Sequence, residues 1–170
     1  MNARTTLLLM MLGTVVVTVP GIGMKPPTLY IWNASVSAPV GLYRLQPVDE
    51  LSVTDLVAIQ APDAHATFLA DGGYLPRGVP MLKRVLALPG QTVCRKARTI
   101  TVDEIAMGEA RDHDGRGRSL PVWEGCRVVA EDELFLMNWQ SASSFDGRYF
   151  GVTPRAAVIA RALPVWTAEQ

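Results

Sequence analysis

The chain has 170 residues, 16 Lys+Arg balanced by 16 Asp+Glu, and a hydrophobic fraction of 49% against 19% charged. That length suits one domain with a sizeable core, and the zero net charge removes the electrostatic pull that a nucleic-acid partner would exert. The hydrophobicity excludes a disordered chain, and 14 Gly with 12 Pro exclude a coiled coil or a bundle of long helices.

In chain order, the first predicted element is a membrane anchor over residues 1–25. Thr5 to Met24 are uncharged, and as a helix they cover roughly 30 Å, the thickness of a bilayer's hydrocarbon core. A cleaved signal peptide is the rival. The segment is longer than an h-region of ~7 to 15 residues, and Val17-Thr18-Val19-Pro20-Gly21-Ile22-Gly23 contains no Ala-x-Ala site. Arg4 together with the charged amino terminus before the span, against a single Lys25 after it, orients the amino terminus to the cytoplasm and exports the chain beyond residue 25.

Lys25-Pro26-Pro27 is a stiff exit from the anchor. Short apolar runs succeed it at Leu29 to Trp32, Gly41 to Leu45, Leu56 to Gln60, Met81 to Leu88, Arg98 to Val102, Arg127 to Val129, Leu134 to Asn138 and Ala156 to Pro164. Bounded by Pro, Gly, Asp or Asn, they predict an antiparallel, mainly β domain over 26–170 that curls toward a barrel. Arg155 to Arg161 reads equally as a helical turn entering a strand. Arg111 to Arg118, with its Asp, Gly and His, reads as an exposed loop within an insertion around 95–125. Cys94 and Cys126, the only two cysteines, are expected to pair as a disulfide in an oxidising compartment and to staple that insertion. No metal site is expected, because the only further soft ligands are His65 and His113.

The chemistry begins with the lysines. Thirteen of the sixteen cationic residues are Arg, which stays protonated and cannot serve as a base. Lys25 lies at the membrane edge and Lys96 among arginines. Lys83 lies inside Val79-Pro-Met-Leu-Lys-Arg-Val-Leu-Ala-Leu88, where strand alternation puts it on one face with Met81, Val85 and Ala87. Desolvation there favours the neutral amine. The plainer reading is an edge lysine that blocks aggregation. Ser37 is the candidate nucleophile. It stands before a Pro/Gly bend, and Ser35 lies on the same side if the segment is extended.

Three blocks in this order carry a resemblance: Ser-Ala-Pro-Val-Gly-Leu-Tyr at 37–43, Leu-Lys-Arg-Val-Leu-Ala-Leu-Pro-Gly at 82–90 and Ser-Phe-Asp-Gly-Arg-Tyr-Phe-Gly at 144–151. Together they resemble the bacterial type I signal peptidases, and more closely their conjugative-transfer branch, the TraF-type pilin-maturing peptidases. The resemblance implies a Ser/Lys dyad with Ser37 as nucleophile and Lys83 as general base and later acid. It further implies Ser35 in the oxyanion hole, Ser144 orienting Lys83, and Asp146 holding the site through Arg148. It implies no cofactor, a bacterial inner-membrane location with the catalytic domain in the periplasm, and an exported, pilin-like precursor bound as an extended strand.

The chain departs from the family in two places. Ala38 stands where general signal peptidases carry Met, and Asn138-Trp-Gln-Ser141 replaces their Gly-Asp-Asn-Arg. The second change leaves Arg84 to find a partner in Asp146 or Asp132, a choice the residues leave open. Trp32, Trp139 and Phe150 are candidates for dipping the domain into the lipid interface. Two rival readings stand beside the peptidase: a Ser-His-Asp hydrolase using His65 or His113, and a non-catalytic, membrane-anchored β-subunit of a secretion or pilus assembly. A self-cleaving repressor shares the Ser/Lys logic but would need a DNA-reading module that this chain lacks.

Overall fold

The computed structural model describes residues 29–168; the expected anchor over Thr5 to Met24 lies outside them. Among the described residues no helix is long and apolar enough to cross a membrane. The eleven strands are β1 (Tyr30–Asn33), β2 (Gly41–Gln46), β3 (Leu56–Ile59), β4 (Met81–Ala87), β5 (Thr92–Lys96), β6 (Thr99–Val102), β7 (Ile105–Glu109), β8 (Gly125–Val128), β9 (Glu133–Leu136), β10 (Thr153–Pro154) and β11 (Val158–Thr167). Among the described residues two short helices, α1 (Asp63–Asp71) and α2 (Gly147–Phe150), and a 3-10 turn at Arg155–Ala157 accompany the strands.

The strands form two antiparallel sheets. The larger has the order β1-β2-β11-β3-β4-β9-β10, and the smaller β7-β6-β5-β8. The chain passes from one to the other at Leu88-Pro89-Gly90, where Gly90 adopts φ +86°, a conformation that glycine reaches without steric cost. Leu86, Ala87, Val93, Ile100, Val102, Val129, Phe135 and Met137 pack there as one buried cluster drawn from both sheets. The expected insertion is thus a sheet of its own, closed by the Cys94–Cys126 disulfide across directly opposed residues of β5 and β8.

Most predicted runs are strands, and the differences have physical reasons. β5 and β7 were not predicted: Thr-Val-Cys-Arg-Lys and Ile-Ala-Met-Gly-Glu mix charge into their apolar pattern, and pairing within a four-stranded sheet overrides that weak signal. The residues before β11 form the helical turn that was the second reading of that stretch. α1 was not predicted. Its nine residues bury only Leu69, too little amphipathicity to read, although Asp63 suits its first turn and Gly73, at φ +65°, ends it.

Lys83 does not share a simple face with Ala87. The ladder of β4 with β9 shifts register between Val85 and Ala87, so Met81 and Val85 pack in one cluster and Ala87 in another. Asp146-Gly147, a pair whose composition alone suits a hairpin turn, instead opens a helix. Asp146 caps α2 through the Arg148 N–H, and a side chain on Gly147 would meet the Leu136 carbonyl at 2.8 Å and the Phe135 ring at 2.7 Å. Glycine is required by that close approach of α2 to β9.

Candidate active site

The loop between β1 and β2 carries Ser37 and is shaped by one side chain. The Asn33 amide donates to the carbonyls of Ser35, Ala38 and Pro39 at 2.9 to 3.0 Å, and its oxygen accepts the Ser35 N–H. Tyr43, 1% exposed, donates its hydroxyl to the Pro39 carbonyl at 2.6 Å and fixes the bend from the β2 side. The segment is therefore a turn and not extended. Even so, Ser35 and Ser37 meet: the Ser35 hydroxyl donates to Ser37 Oγ at 3.0 Å and accepts the Ser37 N–H at 3.3 Å.

Lys83 sits on β4, 4% exposed. Burial pushes its pKa down to about 8, Asp146 pulls it back upward, and Arg148 adds a smaller downward push. Its Nζ donates to Ser144 Oγ at 3.0 Å, and Ser144 is itself 1% exposed. Ser35, Ser37, Lys83 and Ser144 line one groove of ≈ 540 Å³ whose apolar walls include Leu69, Met81 and Phe145. The blocks at 37, 83 and 144 thus line one groove, with Lys83 bonded to Ser144 and Ser37 to Ser35 but no hydrogen bond between Ser37 and Lys83.

Ser144 lies on the irregular segment between β9 and α2, and the Asp146–Arg148 pair holds that segment in place. The pair is bidentate at 2.9 and 2.8 Å, with both side chains at most 2% exposed. Arg148 also donates to the carbonyls of Asn138, Ser141 and Ser144, while Asp146 accepts the Asn138 N–H at 3.1 Å. An ion pair so buried is stable only with its remaining hydrogen-bonding capacity satisfied, and here backbone groups of the Ser144 segment supply that.

Asn33, Asn138 and Arg95 were missed by sequence reasoning. Asn138 uses its side-chain amide as a surrogate strand neighbour: it accepts the Arg84 N–H at 2.8 Å and donates to the Leu82 carbonyl at 3.0 Å, on either side of Lys83. Arg95, 1% exposed, donates to the carbonyls of Ala97, Pro121 and Arg148. The signal for Asn138 was a polar residue directly after the apolar run of β9. Asn33 and Arg95 gave none, because a side chain's service to distant carbonyls leaves no local pattern.

Arg84 takes neither proposed acid. Its guanidinium donates to the Thr54 carbonyl at 3.0 Å and stacks 5.9 Å from the Trp139 ring. The suggested aromatic trio is dispersed as well. Trp32 is exposed and stacks on Trp166 at 5.9 Å, whereas Phe150 stacks on His65 at 4.2 Å and Trp139 packs against the inter-sheet core. Neither His65 nor His113 borders the groove of Ser37. Among the described residues, no group of three or more His, Cys, Asp or Glu is placed to hold a metal ion.

Comparison with known proteins agrees with the three blocks. Residues 3–167 match the family described as signal peptidase, peptidase S26. The chain is 35% identical over 150 residues to the conjugal transfer protein TraF of Agrobacterium fabrum, covering 81% of this chain and 82% of that one. It is 32% identical over 144 residues to a plasmid transfer protein TraF of Escherichia coli, covering 79% and 81%. A signal peptidase I structure from Enterococcus faecalis aligns over 67% of this chain and 97% of its own, with 18% identity and a TM-score of 0.40. By the family match over residues 3–167 and by the two TraF relatives, the chain belongs to the peptidase S26 signal peptidase family.

Proposed function

We propose that this chain is a membrane-anchored serine endopeptidase that cleaves exported precursors, with Ser37 as nucleophile and Lys83 as general base. The observation that carries the reading is the groove in which the Ser35–Ser37 hydroxyl pair shares walls with a lysine buried enough to be half neutral near pH 8. The neutral amine takes the Ser37 proton as Oγ attacks the scissile carbonyl. Ser144 accepts one N–H of Lys83, which fixes the amine while its lone pair serves Ser37. The oxyanion is met by the Ser37 N–H and the Ser35 hydroxyl, two donors that bond within the pair until substrate arrives. The Lys83 ammonium then protonates the leaving amine, and the Ser37 ester is released by water, or by an amine of the substrate held close enough to compete. In the second case the product is circular and one water lighter, which mass spectrometry reads.

A strand edge that is open only before Leu82, since Asn138 and Met137 occupy the Leu82 carbonyl and both backbone groups of Arg84, supports binding of an extended precursor. β4 is paired with β9 only from Val85 onward, so on that side its first half meets the Asn138 side chain and the groove. A substrate strand added there would place its backbone beside Lys83. The kinship with conjugal transfer proteins favours a pilus or transfer component as the precursor, delivered on the periplasmic side of the inner membrane.

The test uses the full chain in detergent micelles and a library of exported-precursor peptides, with products read by mass spectrometry. Ser37→Ala and Lys83→Ala should each abolish cleavage with the fold intact. Lys83→Arg should be equally inactive, since a guanidinium keeps the charge and cannot take the proton. Wild-type activity should rise with pH through about 8. Substantial activity in Lys83→Arg would reduce the lysine to a fixed charge and overturn the mechanism. An intact chain that cleaves nothing would favour the non-catalytic subunit.

A further inference from the structure

We infer that the hairpin at residues 111–119 builds a carboxylate-recognising subsite at one end of the groove, with Arg111 and Arg116 as its specificity-determining residues. The inference rests on the peptidase reading and deepens it by naming the chemistry of the substrate. A second pocket of ≈ 260 Å³ adjoins the groove and shares Tyr74, Ser143 and Phe145 with it. An extended peptide, rising about 3.3 Å per residue, can run from the groove into this pocket along the wall they share. Ser143, in the shared wall, directly precedes Ser144.

The stretch from Arg111 to Arg118 is a closed hairpin and not the free loop its composition suggests. The Asp114 N–H donates to the Arg118 carbonyl, the Leu120 N–H to the Asp112 carbonyl, and His113 bridges Ser119. One aspartate docks it against the groove wall. The Asp114 carboxylate accepts the Tyr74 hydroxyl and the Arg118 Nε–H at 2.8 Å. Arg118 in turn donates to the Gly72 carbonyl at 2.6 Å and stacks 4.3 Å from the Tyr74 ring. The Tyr74 hydroxyl first, and then Arg118, holds the Asp114 carboxyl well below the usual carboxylate range.

That docking uses up the pocket's own anion. Three arginines and one aspartate border it, and the aspartate is committed to Arg118 at 2.7 Å. The neighbouring acids face elsewhere, since Glu109 and Asp112 both lie 3.8 Å from Arg98. Among the described residues, neither Arg111 nor Arg116 makes an ion pair. Two uncompensated guanidinium groups at the rim of an aromatic pocket suit a carboxylate, which a planar fork binds bidentately. That carboxylate comes either from an Asp or Glu side chain or from the free carboxyl terminus of the substrate.

The test separates these sources, and separates the subsite from catalysis, by measuring binding. Fluorescent, Ala-rich 15-residue peptides are titrated by anisotropy against the full chain carrying Ser37→Ala. One set is amidated and carries a single Glu moved stepwise along the chain; one peptide is neutral and amidated; one is neutral with a free carboxyl terminus. At one register the Glu peptide, or else the free-terminus peptide, should bind on the order of tenfold tighter than the neutral amidated one. The gain should be lost in Arg111→Gln/Arg116→Gln and should shrink as salt rises. Arg116→Glu should turn the preference toward a Lys-bearing peptide. Both arginines are exposed and neither bonds a neighbour through its side chain among the described residues, so the variants should fold. Equal binding of all peptides, no binding, or discrimination that survives the double variant overturns the subsite. Discriminating binding by a wild-type chain that cleaves none of the peptides leaves the subsite standing and removes the peptidase reading.

Discussion

Replacing Lys83 with methionine should stabilise the protein near neutral pH while ending its activity. Folding lowers the lysine's pKa from 10.5 to about 8, roughly 2.5 units at ~1.4 kcal/mol each, so holding the protonated side chain in the fold costs roughly 3 kcal/mol below pH 8. Between pH 8 and 10.5 the unfolded chain binds a proton that the folded chain has lost. Stability therefore rises with pH across that window; the penalty is full below it and gone above it. Methionine matches the length without the charge and forfeits the bond to Ser144 Oγ, a net ~1 kcal/mol. A gain of about 2 kcal/mol remains at pH 7, about 4 to 8 °C in Tm for a domain of this size. Urea unfolding of wild type and variant at pH 7 and pH 10 measures it, and titrations common to both proteins cancel in the difference. At pH 10 the advantage should have nearly vanished. A variant less stable than wild type at pH 7, or equally favoured at both pH values, would show that Lys83 is not held against a desolvation cost.

The same geometry sets three further outcomes. Asp146→Asn removes the charge that raises the Lys83 pKa, so the rising limb of the activity profile should move to lower pH; it also strands the buried Arg148 and should cost about 3 to 5 kcal/mol in chemical unfolding. Asn33→Ala frees three carbonyls of the Ser37 loop and should lower kcat by more than tenfold with less than ~3 kcal/mol lost in stability, measured as kcat against KM beside a melting curve. Cys94→Ser opens a bridge of sequence separation 32 and should cost about 3 to 4 kcal/mol in the chain-entropy model, with hydrogen exchange rising first in β5 to β8. Unchanged melting of that variant would refute a stabilising bridge.

Of the three residues that line the groove, two stood out as candidates from their own runs, Ser37 by the Pro/Gly bend after it and Lys83 by the unbroken apolar strand around it, whereas Ser144 came only through the resemblance carried by the Ser-Phe-Asp-Gly-Arg block. The chain needs an apolar strand at β4 both to fill the core and to desolvate the lysine, so one pattern reported two facts. The side chains that hold the trio together left no such trace. Asn33 and Asn138 act on backbone groups whose positions are set by tertiary contacts, and the same residue types in a loop read as turn formers. Gly147 is a further case, since Asp-Gly by composition suits a hairpin turn. Its role is a close approach to Phe135 and the Leu136 carbonyl, and those neighbours are brought to it by the sheet.

The two sheets are coupled at the site by a side chain that takes no part in the proposed chemistry. The Ser144 segment has no strand or helix to stiffen it, and Arg148 substitutes by bonding three of its carbonyls. Arg148 is in turn fixed from the second sheet, because Arg95 of β5 donates to its carbonyl at 2.6 Å. Arg95 comes directly after Cys94, so the disulfide that ties β5 to β8 also limits the movement of the strand from which Arg95 reaches across. The order of dependence runs from the disulfide through Arg95 and Arg148 to Ser144 and the Lys83 amine. A buried lysine that costs roughly 3 kcal/mol while protonated would relax toward water if its surroundings could open. A second sheet braced on the segment behind it opposes that opening, and this gives the four-stranded sheet of β5 to β8 a mechanical role.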